Sequence, residues 1–162
     1  MSNSTIHQAA ADGYKQGADT YVRGRPDYPA GVTAWLCETL GLGPGQTVLE
    51  VGAGTGKFTT RLLQTGARVI VVEPVQAMLD KLSGNYPEVE THQGTAQAIP
   101  LVDASVDVVV CAQAFHWFAT SAALTEMYRV LKPGGQLGLI WNLRDASVPW
   151  VAQLDALVNQ WE

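Results

Sequence analysis

Apolar segments recur along the chain and predict about five β-strands. They are Thr47–Val51, Arg68–Val72, Val106–Cys111 and Gln136–Trp141, with a more modest strand at Val89–His92. Most of them are continuously apolar rather than alternating, which is typical of parallel strands that are buried on both faces.

Stretches with helical spacing separate these runs. The first two predicted helices are Ala30–Leu40 and Phe58–Gln64. A third begins at Pro74 and continues with Val75, Met78, Leu79 and Leu82, and a fourth contains Leu124, Met127, Tyr128 and Leu131 and ends at KPGG. The last contains Val151, Leu154, Val158 and Trp161. Right-handed crossovers between such elements predict an α/β domain with a doubly wound, mostly parallel, Rossmann-like sheet and helices on both faces. Ligands of such sheets bind at the carboxyl ends of the strands.

Composition narrows the classes of partner. The chain has 162 residues, 47% of them hydrophobic, which suits one folded domain. Its net charge of -5 argues against a nucleic-acid partner, because phosphate binding needs clustered cations. No apolar run reaches the roughly 18 residues of a membrane span, and the first residues lack a signal-peptide layout. We therefore expect no membrane partner and a cytoplasmic location. Cys37 and Cys111 have no His in metal-ligand spacing, so we expect two buried, reduced thiols and no metal.

The stretch VLEVGAGTGKF, residues 48–58, carries the candidate chemistry. Gly52, Gly54 and Gly56 permit positive φ angles and a close approach of the backbone to a ligand. The helix behind them points free N–H groups at that ligand. A Walker A loop is disfavoured, because Gly52 and Gly56 are too close together and Phe58 stands where a Mg²⁺-binding hydroxyl is needed.

Two other ligand classes fit the turn better. A dinucleotide such as NAD stays an alternative, since Glu73 is the expected acid, although Lys57 replaces the third small residue of the fingerprint. S-adenosylmethionine (SAM) carries an ammonium and a sulfonium and no phosphate, so the acid Glu50 in the turn is compatible with it. Glu73, at the tip of the second strand, can accept hydrogen bonds from both ribose hydroxyls. The two acids favour SAM over a turn that only connects two elements.

The same segments carry a family resemblance. VLEVGAGTGKFT resembles motif I of the class I SAM-dependent methyltransferases, and VVEPVQAML resembles the segment with their ribose-binding acid. QGTAQAIPLVDASVDVVVCAQAFHWF is similar to their third and fourth motifs, and RVLKPGGQLGLIWN to the strand that follows. The match runs from about residue 12 to residue 145 and is nearest to the small-molecule group often labelled type 11. It implies the strand order 3-2-1-4-5, SAM as cofactor and methyl transfer to a small-molecule acceptor.

The resemblance also implies roles for single residues. They are Gly52, Ala53 and Gly54 along the methionine part with Glu50 in support, Glu73 on the ribose, Pro74 and Met78 flanking the adenine, Thr95 and Ala96 at the adenine edge, and Ala112 and Gln113 towards the sulfonium. His116, just beyond the fourth strand, is a candidate catalytic base. Packing of the loop by HWF is the alternative, because methyl transfer can proceed through proximity and orientation alone.

The two ends of the chain raise separate expectations. The RPxYP segment recurs ahead of the domain in this family, so residues 1–28 are expected to form a helical segment that closes over the cofactor, with residues 29–162 as the SAM-binding domain. Tyr21 and Arg25 would contact the cofactor, and an arginine suits the SAM carboxylate; a solvated turn residue is the alternative for Arg25.

Family members usually continue past this C-terminus with two more strands. We therefore expect an apolar edge on the fifth strand and a homodimer built around residues 136–162. Two functions are carried forward from the sequence. The first is methyl transfer to a small molecule, and the second is SAM binding without turnover.

Overall fold

Five parallel strands form one sheet in the described part of the chain. The computed structural model describes residues 27–159. The strands are β1 (Thr47–Val51), β2 (Arg68–Glu73), β3 (Glu90–Gln93), β4 (Val106–Ala112) and β5 (Leu131–Ile140). Their order is β3-β2-β1-β4-β5, and each neighbouring pair is parallel. The predicted fold class and strand order are confirmed.

Five α-helices of the described chain precede, separate or follow the strands. They are α1 (Gly31–Leu40), α2 (Thr59–Leu63), α3 (Gln76–Asn85), α4 (Ser121–Val130) and α5 (Pro149–Val158), with a short 3₁₀ helix at Phe115–Trp117. The start of α4 is set by Thr120, whose hydroxyl accepts a hydrogen bond from the Ala123 amide at 3.2 Å. None of the helices within residues 27–159 is long and apolar enough to cross a membrane.

Two apolar cores cover the two faces of the sheet. Successive side chains of β1 point to opposite faces, so Val48 lies in one core while Leu49 and Val51 lie in the other. Leu62 of α2 joins the first core, and Met127 of α4 joins the second. Burial on both faces explains why the strand sequences are apolar almost throughout.

The register of the sheet brings the carboxyl ends of the strands close together. Val51, the last residue of β1, pairs with Val72 of β2. The next residue of β2 is Glu73, which pairs with Gln93 of β3. The glycine turn that follows β1 and the acid that ends β2 are therefore neighbours, although they are far apart in sequence.

Three local predictions are wrong. Pro74 is not the first helical residue, because the Glu73 carboxylate accepts a hydrogen bond from the Val75 amide, and Val75 is an extended N-cap. KPGG lies inside β5, because Leu131 already pairs with Val106 and the chain bulges before Gln136 pairs with Val108. Cys37 is exposed rather than buried, whereas Cys111 is buried as expected.

The last part of the described chain, from β5 to α5, exposes many apolar side chains. Within residues 27–159, β5 is an edge strand with β4 as its neighbour. Of the apolar side chains on α5, Val151 is buried, whereas the others lie in solvent together with residues of β5 and the following loop. The exposed set is Leu139, Trp141, Leu143, Trp150, Leu154, Leu157 and Val158. We call these residues the apolar edge.

Candidate functional site

The turn after β1 exposes backbone because it has almost no side chains. Gly52 has a φ of +74°, and a Cβ added there would lie 2.9 Å from the Cβ of Ala114. Its amide donates to the carbonyl of Val72 at 2.8 Å, which fixes the turn against β2. Any larger residue at Gly52 would need both a strained backbone and a shifted neighbour. The segment after β4 therefore packs directly against the backbone of this turn.

Glu73 joins the tip of β2 to the glycine turn. Its Oε2 accepts a hydrogen bond from the Gly54 amide at 2.9 Å, and its Oε1 accepts one from the Val75 amide at 3.0 Å. The side chain is buried, and this burial raises the pKa of Glu73, while the two amides act in the opposite direction. A carboxylate offers about four lone pairs, so each oxygen can accept one further hydrogen bond.

Glu50 lies beneath the turn. It is fully buried, and the Thr59 hydroxyl donates a hydrogen bond to its Oε2 at 2.6 Å. The pKa of Glu50 is raised from 4.5 to about 8, because burial and, to a smaller extent, the charge of Glu73 raise it more than the hydrogen bond from Thr59 lowers it. Below this pKa, Glu50 is a neutral acid that ties β1 to α2 across the turn. This position is compatible with the supporting role expected from the sequence.

The β3 side of the site contains a buried hydroxyl without a partner. The Oγ1 atom of Thr95 is buried and makes no hydrogen bond among residues 27–159. Ala96 beside it is also buried. The Gly94 amide donates to the carbonyl of Glu73 at 3.4 Å, so this segment lies next to the tip of β2. A ligand bound here could form a hydrogen bond with this buried hydroxyl.

Pro74 and Met78 belong to the segment that follows β2. The Met78 sulfur is 3.7 Å from the position that a Cβ on Gly54 would take, so Met78 packs beside the glycine turn. The carbonyl of Pro74 accepts a hydrogen bond from the Gln93 side chain at 3.3 Å. These contacts connect the segment after β2 with both the turn and the end of β3.

The end of β4 holds a strained backbone. Gln113 has a φ of +54°, which is unusual for a residue other than glycine. Its amide donates to the carbonyl of Ile140 at 2.8 Å, and its side chain donates to the carbonyl of Asn142 at 3.4 Å. Such strain clusters at functional sites, where the surrounding structure holds it in place.

His116 lies in the 3₁₀ helix beyond Gln113 and is exposed. Its Nδ1 accepts a hydrogen bond from the indole N–H of Trp141 at 3.4 Å. A neutral imidazole that accepts at Nδ1 carries its proton on Nε2. Nε2 is then a donor, and proton abstraction by this ring needs the Trp141 bond to open.

A comparison with known families establishes the family of this chain. A family model described as a methyltransferase domain matches residues 49–139, which is more than half of the chain. The chain belongs to the class I SAM-dependent methyltransferases. The matched segment begins within β1 and ends within β5 of this methyltransferase domain, so it includes the glycine turn, Glu73 and the end of β4.

Similar proteins agree with this assignment. An uncharacterized methyltransferase of Schizosaccharomyces pombe is 47% identical over 148 residues, which are 91% of this chain and 59% of that protein. The malonyl-[acyl-carrier protein] O-methyltransferase of Serratia marcescens is 31% identical over 140 residues, covering 83% of this chain and 53% of that protein. The methyltransferase domain therefore spans somewhat more than half of these relatives.

A solved structure supports the fold. The crystal structure of a putative S-adenosyl-L-methionine-dependent methyltransferase from Methanococcus maripaludis superposes with a TM-score of 0.69 at 18% sequence identity. The superposition covers 98% of this chain and 74% of that protein. At this level of identity the likeness concerns the fold alone.

The structure brings most of the sequence-predicted residues of the methyltransferase domain to one edge of the sheet. Two of them, Tyr21 and Arg25, lie outside the described residues, as does most of the expected N-terminal segment. Thr59 was missed by the sequence reasoning. The available signal was a hydroxyl residue at the start of the helix behind a glycine turn, in a position to face the acid of the preceding strand.

Proposed function

We propose that the methyltransferase domain binds SAM along the carboxyl ends of β3, β2, β1 and β4, and transfers its methyl group to a small-molecule acceptor. The observation that carries this proposal is the geometry of Glu73. Both of its oxygens are held by backbone amides, and each has acceptor capacity left. A ribose, with two adjacent hydroxyl donors, is the part of SAM that suits such a carboxylate.

The strand order then assigns the two ends of the cofactor. With the ribose at the tip of β2, one end of the molecule extends towards β1 and β4, and the other towards β3. The glycine turn at Gly52 and Gly54 suits the methionine end, because it follows β1, which lies between β2 and β4 in the sheet, and neither residue carries a side chain. The unpartnered hydroxyl of Thr95 and the nearby Met78 suit the adenine end.

The residues at the carboxyl ends of the strands suit a methyl transfer that proceeds through proximity and orientation. When bound, SAM supplies a methyl group on a sulfonium, which an acceptor lone pair attacks as the sulfur–carbon bond breaks and its electrons remain on sulfur. The protein's contribution is to hold the two partners in line and to exclude water. Ala112 and Gln113 at the end of β4 are placed to do this, because they follow the strand next to the glycine turn.

His116 has two proposed roles that differ in one contact. As a base, it would release Trp141 and take a proton from the acceptor through a ring nitrogen. As a packing residue, it would hold Trp141 and shape the loop between β4 and α4. Its exposure supports the first role, and its contacts with Trp117 and Trp141 support the second.

The acceptor class is proposed from chemistry and from one relative. The relative from Serratia marcescens is named for O-methylation of malonyl-[acyl-carrier protein]. Oxygen acceptors, carboxylates among them, therefore belong first in a panel of candidate small molecules. SAM binding without turnover is the alternative function, and release of S-adenosylhomocysteine with these acceptors distinguishes the two.

Calorimetry tests the cofactor. We expect SAM and S-adenosylhomocysteine to bind, and NAD and ATP not to bind. Glu73→Ala removes charge-assisted hydrogen bonds that contribute about 1.5–3 kcal/mol, so affinity should fall roughly 10- to 150-fold. Glu88→Gln, at an exposed acid, is the matched control. Unchanged affinity in Glu73→Ala would remove Glu73 from the site, and binding of NAD in place of SAM would contradict the proposal.

We also propose that two copies of this chain associate through the apolar edge. Trp150 is 67% exposed and Leu143 is 88% exposed, and the exposed apolar residues recur along the chain from Leu139 of β5 to Val158 of α5. Exposed apolar patches of this kind commonly mark interaction sites, and a two-fold dimer would cover both copies at once. Light scattering at tens of micromolar tests this, and a stable monomer would contradict it.

The cytoplasmic location stays a prediction.

A further inference from the structure

An ion pair on α4 holds the loop that follows β3. Glu126 and Arg129 are one helical turn apart, and the guanidinium donates to both carboxylate oxygens, from Nε at 2.7 Å and from Nη2 at 2.8 Å. The same guanidinium donates to the carbonyls of Ile99 and Leu101, each at 2.8 Å. It also donates to Asp103 at 2.7 Å. One arginine therefore fixes three points of the loop.

Glu126 completes the arrangement from the acceptor side. Its Oε2 accepts a hydrogen bond from the Ile99 amide at 3.0 Å. The pair thus binds both the N–H and the C=O of Ile99, whose side chain is buried in the core. The two charged side chains are only 21% and 28% exposed, so solvent screens these contacts less than those of a surface ion pair.

The loop held in this way contains the unpartnered hydroxyl. The Ala98 amide donates to the carbonyl of Thr95 at 3.1 Å, so Ile99 follows directly on the tight turn that begins at Thr95. A Cβ at Gly94 would lie 2.9 Å from Pro100, so the two ends of this turn pack closely together. A displacement of Ile99 would therefore move Thr95 and Ala96.

We propose that Glu126 and Arg129 are positioning residues that set the Thr95–Ala96 segment for recognition of the cofactor's base. This inference rests on the proposed function, which places the base at the β3 end of the site. Neither residue touches the base. They act through the backbone of Ile99 and Leu101, and a displacement of about 1 Å at such a segment is enough to weaken binding strongly.

The planar guanidinium is essential to this arrangement. Its donors form a fixed fork that reaches Glu126, two carbonyls and Asp103 at once, whereas a lysine ammonium has three donors at a single point. Arg129→Lys therefore keeps the charge but loses the simultaneous contacts. Arg144→Lys is the matched control, because Arg144 pairs with Asp155 of α5, away from the loop.

The test compares the affinities of two ligands by calorimetry. S-adenosylhomocysteine is measured against S-inosylhomocysteine, in which the amino group of the base is replaced by oxygen. We expect the wild type and Arg144→Lys to prefer the adenine compound by about tenfold or more. Arg129→Lys should lose most of this preference while the inosine compound binds nearly as before. A general loss of stability would weaken both ligands equally and leave the ratio unchanged.

A second measurement does not depend on the ligand. Amide hydrogen exchange should speed up across residues 94–103 in Arg129→Lys and in Glu126→Gln, while β1 and β2 keep their protection. An unchanged ligand ratio, or unchanged exchange in the loop, would overturn the inference and leave the proposed function intact. A wild type that binds both ligands equally would overturn the placement of the base at this loop. A wild type that binds neither would overturn the proposed function itself, and the inference with it.

Discussion

Replacing Glu50 by glutamine should make the stability of the domain less dependent on pH. Glu50 is fully buried beneath the glycine turn, and burial raises its pKa from 4.5 to about 8. In the unfolded chain the same carboxyl ionises at its ordinary, lower pKa. The folded state therefore binds one more proton than the unfolded state between these two values. The favourable contribution to folding is complete below pH 4.5 and is lost as the pH rises to about 8.

The size of this loss follows from the two pKa values. One pKa unit corresponds to about 1.4 kcal/mol, so the free energy of unfolding of the wild type should fall by about 3 kcal/mol between pH 5 and pH 8 through Glu50 alone. Glutamine has nearly the same shape, and its oxygen can still accept the hydrogen bond from Thr59. Its buried amide adds a cost that does not change with pH, so the difference between the two pH values isolates the proton linkage.

Urea unfolding across this pH range measures the effect. The free energy of unfolding of Glu50→Gln should fall less steeply with pH than that of the wild type. Over the range from pH 5 to pH 8, the decrease in the wild type should exceed the decrease in the variant by about 3 kcal/mol. Glu88→Gln, at an exposed position, should follow the wild type. Parallel curves for the wild type and Glu50→Gln would refute the reasoning, because they would mean that Glu50 ionises alike in the folded and unfolded chain.

Three further predictions concern the site and the apolar edge. Gly52→Ala should lower the free energy of unfolding by about 1–2 kcal/mol or more from its positive φ alone, measured by urea unfolding, whereas Gly43→Ala, with open space around it, should not. If His116 is a base, His116→Asn should reduce turnover about 100-fold at unchanged SAM affinity; if it packs the loop, the melting temperature should drop instead. Trp150→Asp should shift the association measured by light scattering towards the monomer, and dimers of unchanged affinity would exclude Trp150 from the interface.

Much of the fold can be read from the chain because its signals are local. Continuous apolar runs such as Val108–Cys111 are buried on both faces, and that burial requires a parallel sheet covered by helices. The spacing of Gly52 and Gly54 and the acid at position 73 likewise predicted that the candidate site lies at the carboxyl ends of β1 and β2. Local signals also failed where a side chain competed with the expected helix start. Pro74 reads as a helix start, but the Glu73 carboxylate keeps the next residue extended.

The contacts that complete the site were decided by the tertiary structure alone. Nothing in the spacing of Glu50 and Thr59 specifies that a hydroxyl and an acid meet at 2.6 Å in a dry interior, where the pKa of the acid rises. The same holds for Arg129, which reaches the backbone of a loop about 30 residues away in the chain. Periodicity and residue preference act within an element and are written in the sequence. Distances, burial and the pairing of polar groups depend on how the elements pack, so they exist only in the folded chain.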